Sequence, residues 1–209
     1  VLRRVLPCCA LAPLPLLRAR ASGLALTRVT QVANPSIAAG RVRAACLDTL
    51  RRLRVSRLDL YLVHSPFAGV DQLPMVDTWR AMEALVDEGL VREIGVSNFG
   101  EEDLRALLSH ARIKPSVNQL EFHPYLQSRP LAALCAAEGV ALAAYCPLGP
   151  LSLWPGGPVD APVEAAAKAH GTTPAAVLLA WPLALGHAVV RCDLIVLIPG
   201  LVTHACVRR

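Results

Sequence analysis

From about Pro35 onward, the apolar positions of the chain switch back and forth between two periods. Residues 36–54 (SIAAGRVRAACLDTLRRLR) carry Val42, Ala45, Cys46, Thr49, Leu50 and Leu53 at helical spacing, which predicts a helix. LDLYLVHSP at 58–66 is a nearly continuous apolar run closed by Pro66, the pattern of a strand covered on both faces. A helix is predicted over 75–88, with Val76, Trp79, Met82 and Val86 on one stripe and Gly89 placed to cap its end. EIGVSN at 93–98 predicts a strand, and Glu101, Glu102 and Asp103 open a helix whose positive end suits acids. SVNQLEF at 116–122 and VALAAYCP at 140–147 predict two more strands, separated by a helix over 128–138 that Gly139 ends. After the loop GPLSLWPGGP a helix is predicted over 161–170, and Thr173-Pro174 begins another, with Pro in a first turn that needs no donor.

Strands that alternate with helices at this spacing build βαβ units, so the fold class is α/β with a parallel sheet. A closed eight-stranded (β/α)8 barrel typically takes ~250 residues. The 209 residues here supply five to six such units, with VVRCD at 189–193 read as an interruption. The alternation alone fits an incomplete barrel and a doubly wound sheet equally well.

Charge and cysteine content narrow the function. Residues 1–57 hold eleven arginines against the single acid Asp48, whereas the remainder is net acidic. The positive charge therefore sits at one end, with no aromatic before Tyr61, and nucleic-acid binding is not expected. The 7 cysteines are odd in number and contain no C-x-x-C pair, and the 6 histidines show no H-x-x-x-H spacing. A disulfide framework and a metal site are both unexpected, and a reducing, cytoplasmic setting is expected. Residues 1–22 are Arg-rich and acid-free, which fits an organellar targeting peptide. Translation of a GC-rich stretch gives the same composition and is the preferred reading. Pro7, Pro13 and Pro15 break a run already too short to span a membrane, so none is expected to be crossed.

Four strings occur in order: LDLYLVHSP, GLVREIGVSNF, VNQLEFHPYLQ and AYCPLG. Together they resemble the aldo-keto reductase family, from about Arg41 to Gly186. The resemblance implies a (β/α)8 TIM-type barrel, incomplete here and truncated at both ends. It divides the chain into an atypical N-terminal segment (1–26), a partial barrel (27–200) and an atypical tail (201–209). It also implies NAD(P)H-dependent reduction of an aldehyde or ketone, with NADP as the cofactor and NAD as the alternative. The partner is then a small-molecule carbonyl substrate.

The resemblance assigns roles by position. His64 matches a catalytic histidine that orients and polarises the substrate carbonyl. Ser97, Asn98 and Gln119 match the residues that hold the nicotinamide carboxamide, and Tyr145 matches the aromatic on which the ring stacks. All five end predicted strands, the face on which barrel active sites form. Singly, each has a plainer role: a satisfied core histidine, a helix cap at Asn98, a packing tyrosine. The set in order favours the cofactor reading. Cys146 stands where the family usually has Ser, and His123 is read as structural.

The resemblance also implies a proton-donating tyrosine tuned by a lysine and an aspartate, all upstream of His64. The only lysines are Lys114 and Lys168, and the only upstream tyrosine is Tyr61. On a strand Tyr61 points away from the face of His64, so it is not the acid. Arg28 in GLALTRVTQ is the one candidate for the lysine position, and Gly200 replaces a basic run after Ile198-Pro199. The alternative to the reductase reading is a catalytically inactive remnant that binds nicotinamide nucleotide weakly or serves as an interaction module.

Overall fold

The computed structural model describes residues 29–32, 39–66, 75–191, 194–196 and 204–205. Readings that fall on residues 1–28, Arg28 included, and on 197–200 lie outside these.

The elements run β1 (Val29–Val32), α1 (Ala39–Leu53), β2 (Leu58–Val63), α2 (Met75–Asp87), β3 (Val91–Ser97) and α3 (Glu101–Leu108). They continue with β4 (Val117–Glu121), α4 (Arg129–Glu138), β5 (Ala141–Tyr145), α5 (Gly149–Ser152), α6 (Asp160–Ala169), α7 (Pro174–Ala184) and β6 (Ala188–Arg191). Two short strands follow, β7 (Leu194–Val196) and β8 (His204–Ala205). β1 to β6 pair in sequence order and in parallel, while β7 and β8 add on antiparallel. The fold is thus an incomplete (β/α)8 TIM-type barrel of six parallel strands, as expected.

Two local predictions change. The VVRCD stretch is not an interruption at its start: Ala188–Arg191 is β6, and Ala188 and Val189 pair with Ala143 and Ala144. Val189 is fully buried, and burying a β-branched side chain outweighs the polar residues that follow it. The Gly/Pro-rich loop after β5 contains the single turn α5, whose carbonyl of Gly149 accepts from Leu153 N at 2.8 Å.

The chemistry of the turns explains where helices stop. Gly139 ends α4 in the left-handed region (φ 72), so that Val140 N can donate back to Cys135 O at 2.8 Å. Thr173 starts α7 by accepting from Ala176 N at 3.2 Å.

The main core lies between the sheet and helices α1 to α4. Val42, Cys46, Leu50, Tyr61, Val63, Trp79, Met82, Ile94, Val96, Leu104 and Leu142 are all buried in it. Each fully buried large apolar side chain contributes about 1.5–3 kcal/mol, so this layer supplies most of the drive to fold. Alternate strand residues face the other way, onto the inner face of the sheet. There Leu62 and Gly95 are buried, whereas Leu60, Glu93, Val117, Ala141 and Val190 keep part of their surface exposed. Gly95 is required at that face: a Cβ would lie 2.7 Å from the Val117 carbonyl oxygen and 2.7 Å from Leu62 Cδ2.

A buried carboxylate fixes the approach to β4. Glu83 on α2 accepts from the backbone N–H groups of Arg112 (2.7 Å) and Ile113 (2.8 Å). One turn earlier on the same helix, Trp79 Nε1 donates to the Ile113 carbonyl at 3.0 Å. The segment entering β4 is therefore held from both its donor and its acceptor sides.

Candidate functional site at the carboxyl ends of the strands

The six parallel strands deliver a group of polar side chains to one rim of the sheet. Ser97 is the last residue of β3, and Gln119 pairs with it in register on β4. Both are buried, at 1% and 8% exposure, so each polar atom needs a partner. Ser97 Oγ donates to the Gln119 backbone carbonyl at 2.9 Å, and Asn98 N donates to the same oxygen at 2.9 Å. The end of β3 is thereby locked onto β4.

Asn98 is the hub. Its backbone is left-handed (φ 61), a conformation that Asn tolerates better than other residues bearing a Cβ. In that pose its Nδ2 donates to the His64 carbonyl oxygen at 2.8 Å and to Ser97 Oγ at 3.2 Å. Its Oδ1 accepts from the Tyr145 hydroxyl at 2.8 Å. One side chain thus ties the ends of β2, β3 and β5 together. It is not the cap of α3: Gly100 occupies that position, and its N–H donates to Asp103 Oδ2 at 3.1 Å.

Tyr145 is held in its protonated form. Burial raises its pKa above the ordinary value, and the carboxylate of Glu121, its register partner on β4, pushes it the same way. A neutral phenol is the form that can donate to Asn98. Its ring is half-buried, so part of it remains open to a ligand.

One member of the group escaped sequence reasoning. Gln31 on β1 donates from Nε2 to Gln119 Oε1 at 2.7 Å. The two strands are three positions apart, which is ~14 Å on a flat sheet at ~4.8 Å per strand. Side chains on a flat sheet would stand parallel and fail to meet. This bond therefore requires the sheet to curl until β1 and β4 face each other across its concave side. The available signal was the period of two along the strand, which sets Gln31 on the opposite face from Thr30.

The sequence-derived residues fall as follows. Ser97, Asn98, Gln119 and Tyr145 form one hydrogen-bonded set. His64 joins it through its main-chain carbonyl, and the residue is exposed. Tyr61 turns to the opposite face, where burial raises its pKa to about 12. His123 is 2% exposed, with Nε2 at 3.1 Å from Glu121 Oε1 and its ring centroid 5.1 Å from that of Trp154. Cys146 follows Tyr145 in a left-handed pose (φ 51) and is exposed. No group of three or more His, Cys, Asp or Glu able to hold a metal gathers among the described residues. No helix among them is long and apolar enough to cross a membrane.

The donor and acceptor inventory defines what could bind here. Both hydrogens of Asn98 Nδ2 are engaged, but Oδ1 keeps a second lone pair. Gln119 Oε1 is engaged by Gln31, and its Nε2 has no hydrogen-bond partner among the described residues. A primary carboxamide needs one acceptor and one donor, and this pair offers both beside a partly open aromatic ring.

Comparison with known proteins bears on the family and the fold. The profile of the aldo/keto reductase family matches residues 19–154. An aldo-keto reductase of Mycolicibacterium smegmatis is 40% identical over 162 residues, covering 77% of this chain and 55% of the relative. The aldo-keto reductase family 4 member C11 of Arabidopsis thaliana is 41% identical, over 71% of this chain and 51% of its own length. The chain therefore spans about half the length of the curated relatives it matches. Among solved structures, a Bombyx mori aldo-keto reductase in complex with NADP superposes with a TM-score of 0.75 at 30% identity, over 79% of this chain and 58% of the other. The aldose reductase of Schistosoma japonicum superposes at 0.72 with 36% identity, over 78% and 58%.

Proposed function

Because this chain belongs to the aldo-keto reductase family, we propose that its strand ends bind the nicotinamide of NADPH, or of NADH, in a reductase of aldehydes or ketones. The observation that carries the reading is the bonded set of Ser97, Asn98, Gln119 and Tyr145 at one rim. When bound, the reduced nicotinamide supplies a hydride to the carbonyl carbon. The chain's own residues hold and orient. The free lone pair of Asn98 Oδ1 accepts from the carboxamide N–H, and Gln119 Nε2 donates to its oxygen. The Tyr145 ring gives the planar ring an apolar surface to stack on. The imidazole of His64 donates to the substrate carbonyl oxygen and draws charge onto it.

Neither Tyr61 nor Tyr145 of this chain is placed to supply the proton that completes reduction. Tyr61 is buried among the helices with a pKa near 12, and the Tyr145 proton already bonds Asn98. A positioned general acid contributes ~10²- to 10⁴-fold, so this chain is expected to bind cofactor and to turn over slowly.

The test is titration of the purified chain with NADPH and with NADH by calorimetry, together with an assay on one aldehyde and one ketone. Saturable binding that weakens on Tyr145→Ala and on Asn98→Ala supports the reading. A folded chain that binds neither nucleotide refutes it.

A further inference from the structure

We infer that Asn118 is a positioning residue: from behind the sheet it holds the corner between β3 and α3, so that Asn98 keeps its left-handed pose and its side chain stays at the rim. Its effect on cofactor binding rests on the nicotinamide reading above, whereas its effect on Asn98 does not. Asn118 faces away from the rim, because its register partners Val96 on β3 and Leu142 on β5 are both buried between the sheet and the helices. It is fully buried there, and its Nδ2 donates to the Phe99 carbonyl oxygen at 2.9 Å. That contact fixes which way the amide lies. A backbone carbonyl can only accept, so a turned-over amide would set oxygen against oxygen. Asn118 Oδ1 then has no hydrogen-bond partner among the described residues. A buried acceptor left unpaired is destabilising, and leucine, of similar shape, would avoid that loss. The asparagine is therefore explained by what its donor holds, not by packing.

The held carbonyl belongs to the Phe99–Gly100 peptide, whose N–H donates to Asp103 Oδ2 at 3.1 Å. On the other side of the corner, the Asn98 N–H donates to the Gln119 carbonyl oxygen at 2.9 Å. The chain is thus pinned before and after the one residue of this corner with a positive φ (61). Without such pins, a residue bearing a Cβ favours other backbone wells by roughly 5- to 30-fold. A relaxed corner carries the Asn98 side chain away from the His64 carbonyl and the Tyr145 hydroxyl. Affinity then falls in proportion to the fraction of chains that remain competent.

Asn118→Leu keeps the volume and removes the donor. Titration of this variant with NADPH should show affinity lower by about fivefold, the low end of that range because asparagine tolerates the pose better than most residues. In the Asn98→Gly background the same substitution should weaken binding no further, because glycine holds a left-handed pose without an anchor. Losses that multiply would overturn the inference, since a general loosening of the core would add to any variant.

A second measurement needs no cofactor. In the ligand-free protein, the side-chain amide protons of Asn98 should shift in the NMR spectrum and exchange faster with water on Asn118→Leu. Cys135→Ala is the control: its thiol is also hydrogen-bonded to Asn118 in the same core, but it does not lead to the corner. The Asn98 signals should stay in place in that variant. Asp103→Ala frees the other end of the Phe99–Gly100 peptide and should move the signals as Asn118→Leu does, which keeps the test available if Asn118→Leu fails to fold. Unmoved Asn98 signals in the folded variants, or an equal response in Cys135→Ala, would overturn the positioning role. If the unaltered chain binds neither nucleotide while the Asn98 signals respond as expected, the nicotinamide reading fails and the anchoring of Asn98 stands.

Discussion

Replacing Asn98 tests both the hub and its backbone. Three hydrogen bonds converge on this side chain, to the His64 carbonyl, Ser97 Oγ and the Tyr145 hydroxyl, at 2.8, 3.2 and 2.8 Å. At the low end of ~0.5–1.5 kcal/mol each, suited to a partly exposed site, their loss costs about 2 kcal/mol. The left-handed backbone (φ 61) adds a separate effect. A residue with a Cβ and no side-chain stabilisation is disfavoured there by ~1–2 kcal/mol, which glycine avoids. Glycine's greater freedom in the unfolded chain offsets ~0.4–1 kcal/mol of that. Asn98→Gly is therefore expected to lose about 2 kcal/mol, and Asn98→Ala about 0.5–1 kcal/mol more. Urea unfolding followed by tryptophan fluorescence measures both. Tyr145→Phe should cost about 0.5–1 kcal/mol in the unaltered chain and nothing in the Asn98→Gly background, since its partner is already gone. Equal stability of the Gly and Ala variants would refute the backbone argument. An undiminished Tyr145→Phe cost in the Gly background would refute the hub.

Two further outcomes follow from the buried polar groups. Glu83→Ala leaves the N–H groups of Arg112 and Ile113 without their acceptor and should cost about 3 kcal/mol. Glu83→Gln keeps an oxygen for both and should cost about 1 kcal/mol, so equal losses in urea unfolding would contradict the clamp. At alkaline pH, Tyr61 and Tyr145 both have folded pKa values raised above the unfolded value of 10.0. Their contribution to stability is full below pH 10 and declines as pH rises through the folded values, near 12 for Tyr61. Spectrophotometric titration of phenolate should show the latest-titrating tyrosine disappear on Tyr61→Phe, and a single transition at 10 would overturn this.

The sequence was most legible where a pattern is local. The strands β2 to β5 are short apolar runs ended by a polar or Pro-containing turn, and the structure agrees with their existence and order. The parity of side chains along β2 correctly separated Tyr61 from His64, because a two-residue period needs no tertiary information. What was hidden depends on contacts made elsewhere. Val189 and Val190 read as part of an interruption, and pairing makes a strand of them, Val189 with Ala144 of β5 and both residues with β7. Asn98 offered two local readings, a cap and a cofactor contact. Its bonds to His64 and Tyr145 exist only once three strands end at one level. Gln31 was invisible for the same reason: its partner is reached through the curl of the sheet, which no periodicity encodes.

The proposed reading also separates affinity from turnover, and that separation can be tested directly. The groups proposed to hold the nicotinamide are Asn98 just after β3, Gln119 on β4 and Tyr145 on β5, all within the described residues. The proton donor that the family resemblance implies has no counterpart among Tyr61, Tyr125 and Tyr145. When a positioned acid is missing, its ~10²- to 10⁴-fold contribution must come from solvent or from buffer acids. Carbonyl reduction by this chain should therefore rise in proportion to the concentration of a small buffer acid such as imidazolium, at constant pH and ionic strength. NADPH affinity should stay unchanged across the same series. His64→Ala should lower the rate by weakening carbonyl polarisation while leaving the buffer dependence in place. A rate indifferent to buffer acid would mean that the chain supplies its own proton. If that indifference turned to dependence in His64→Ala, the imidazole itself would be the donor.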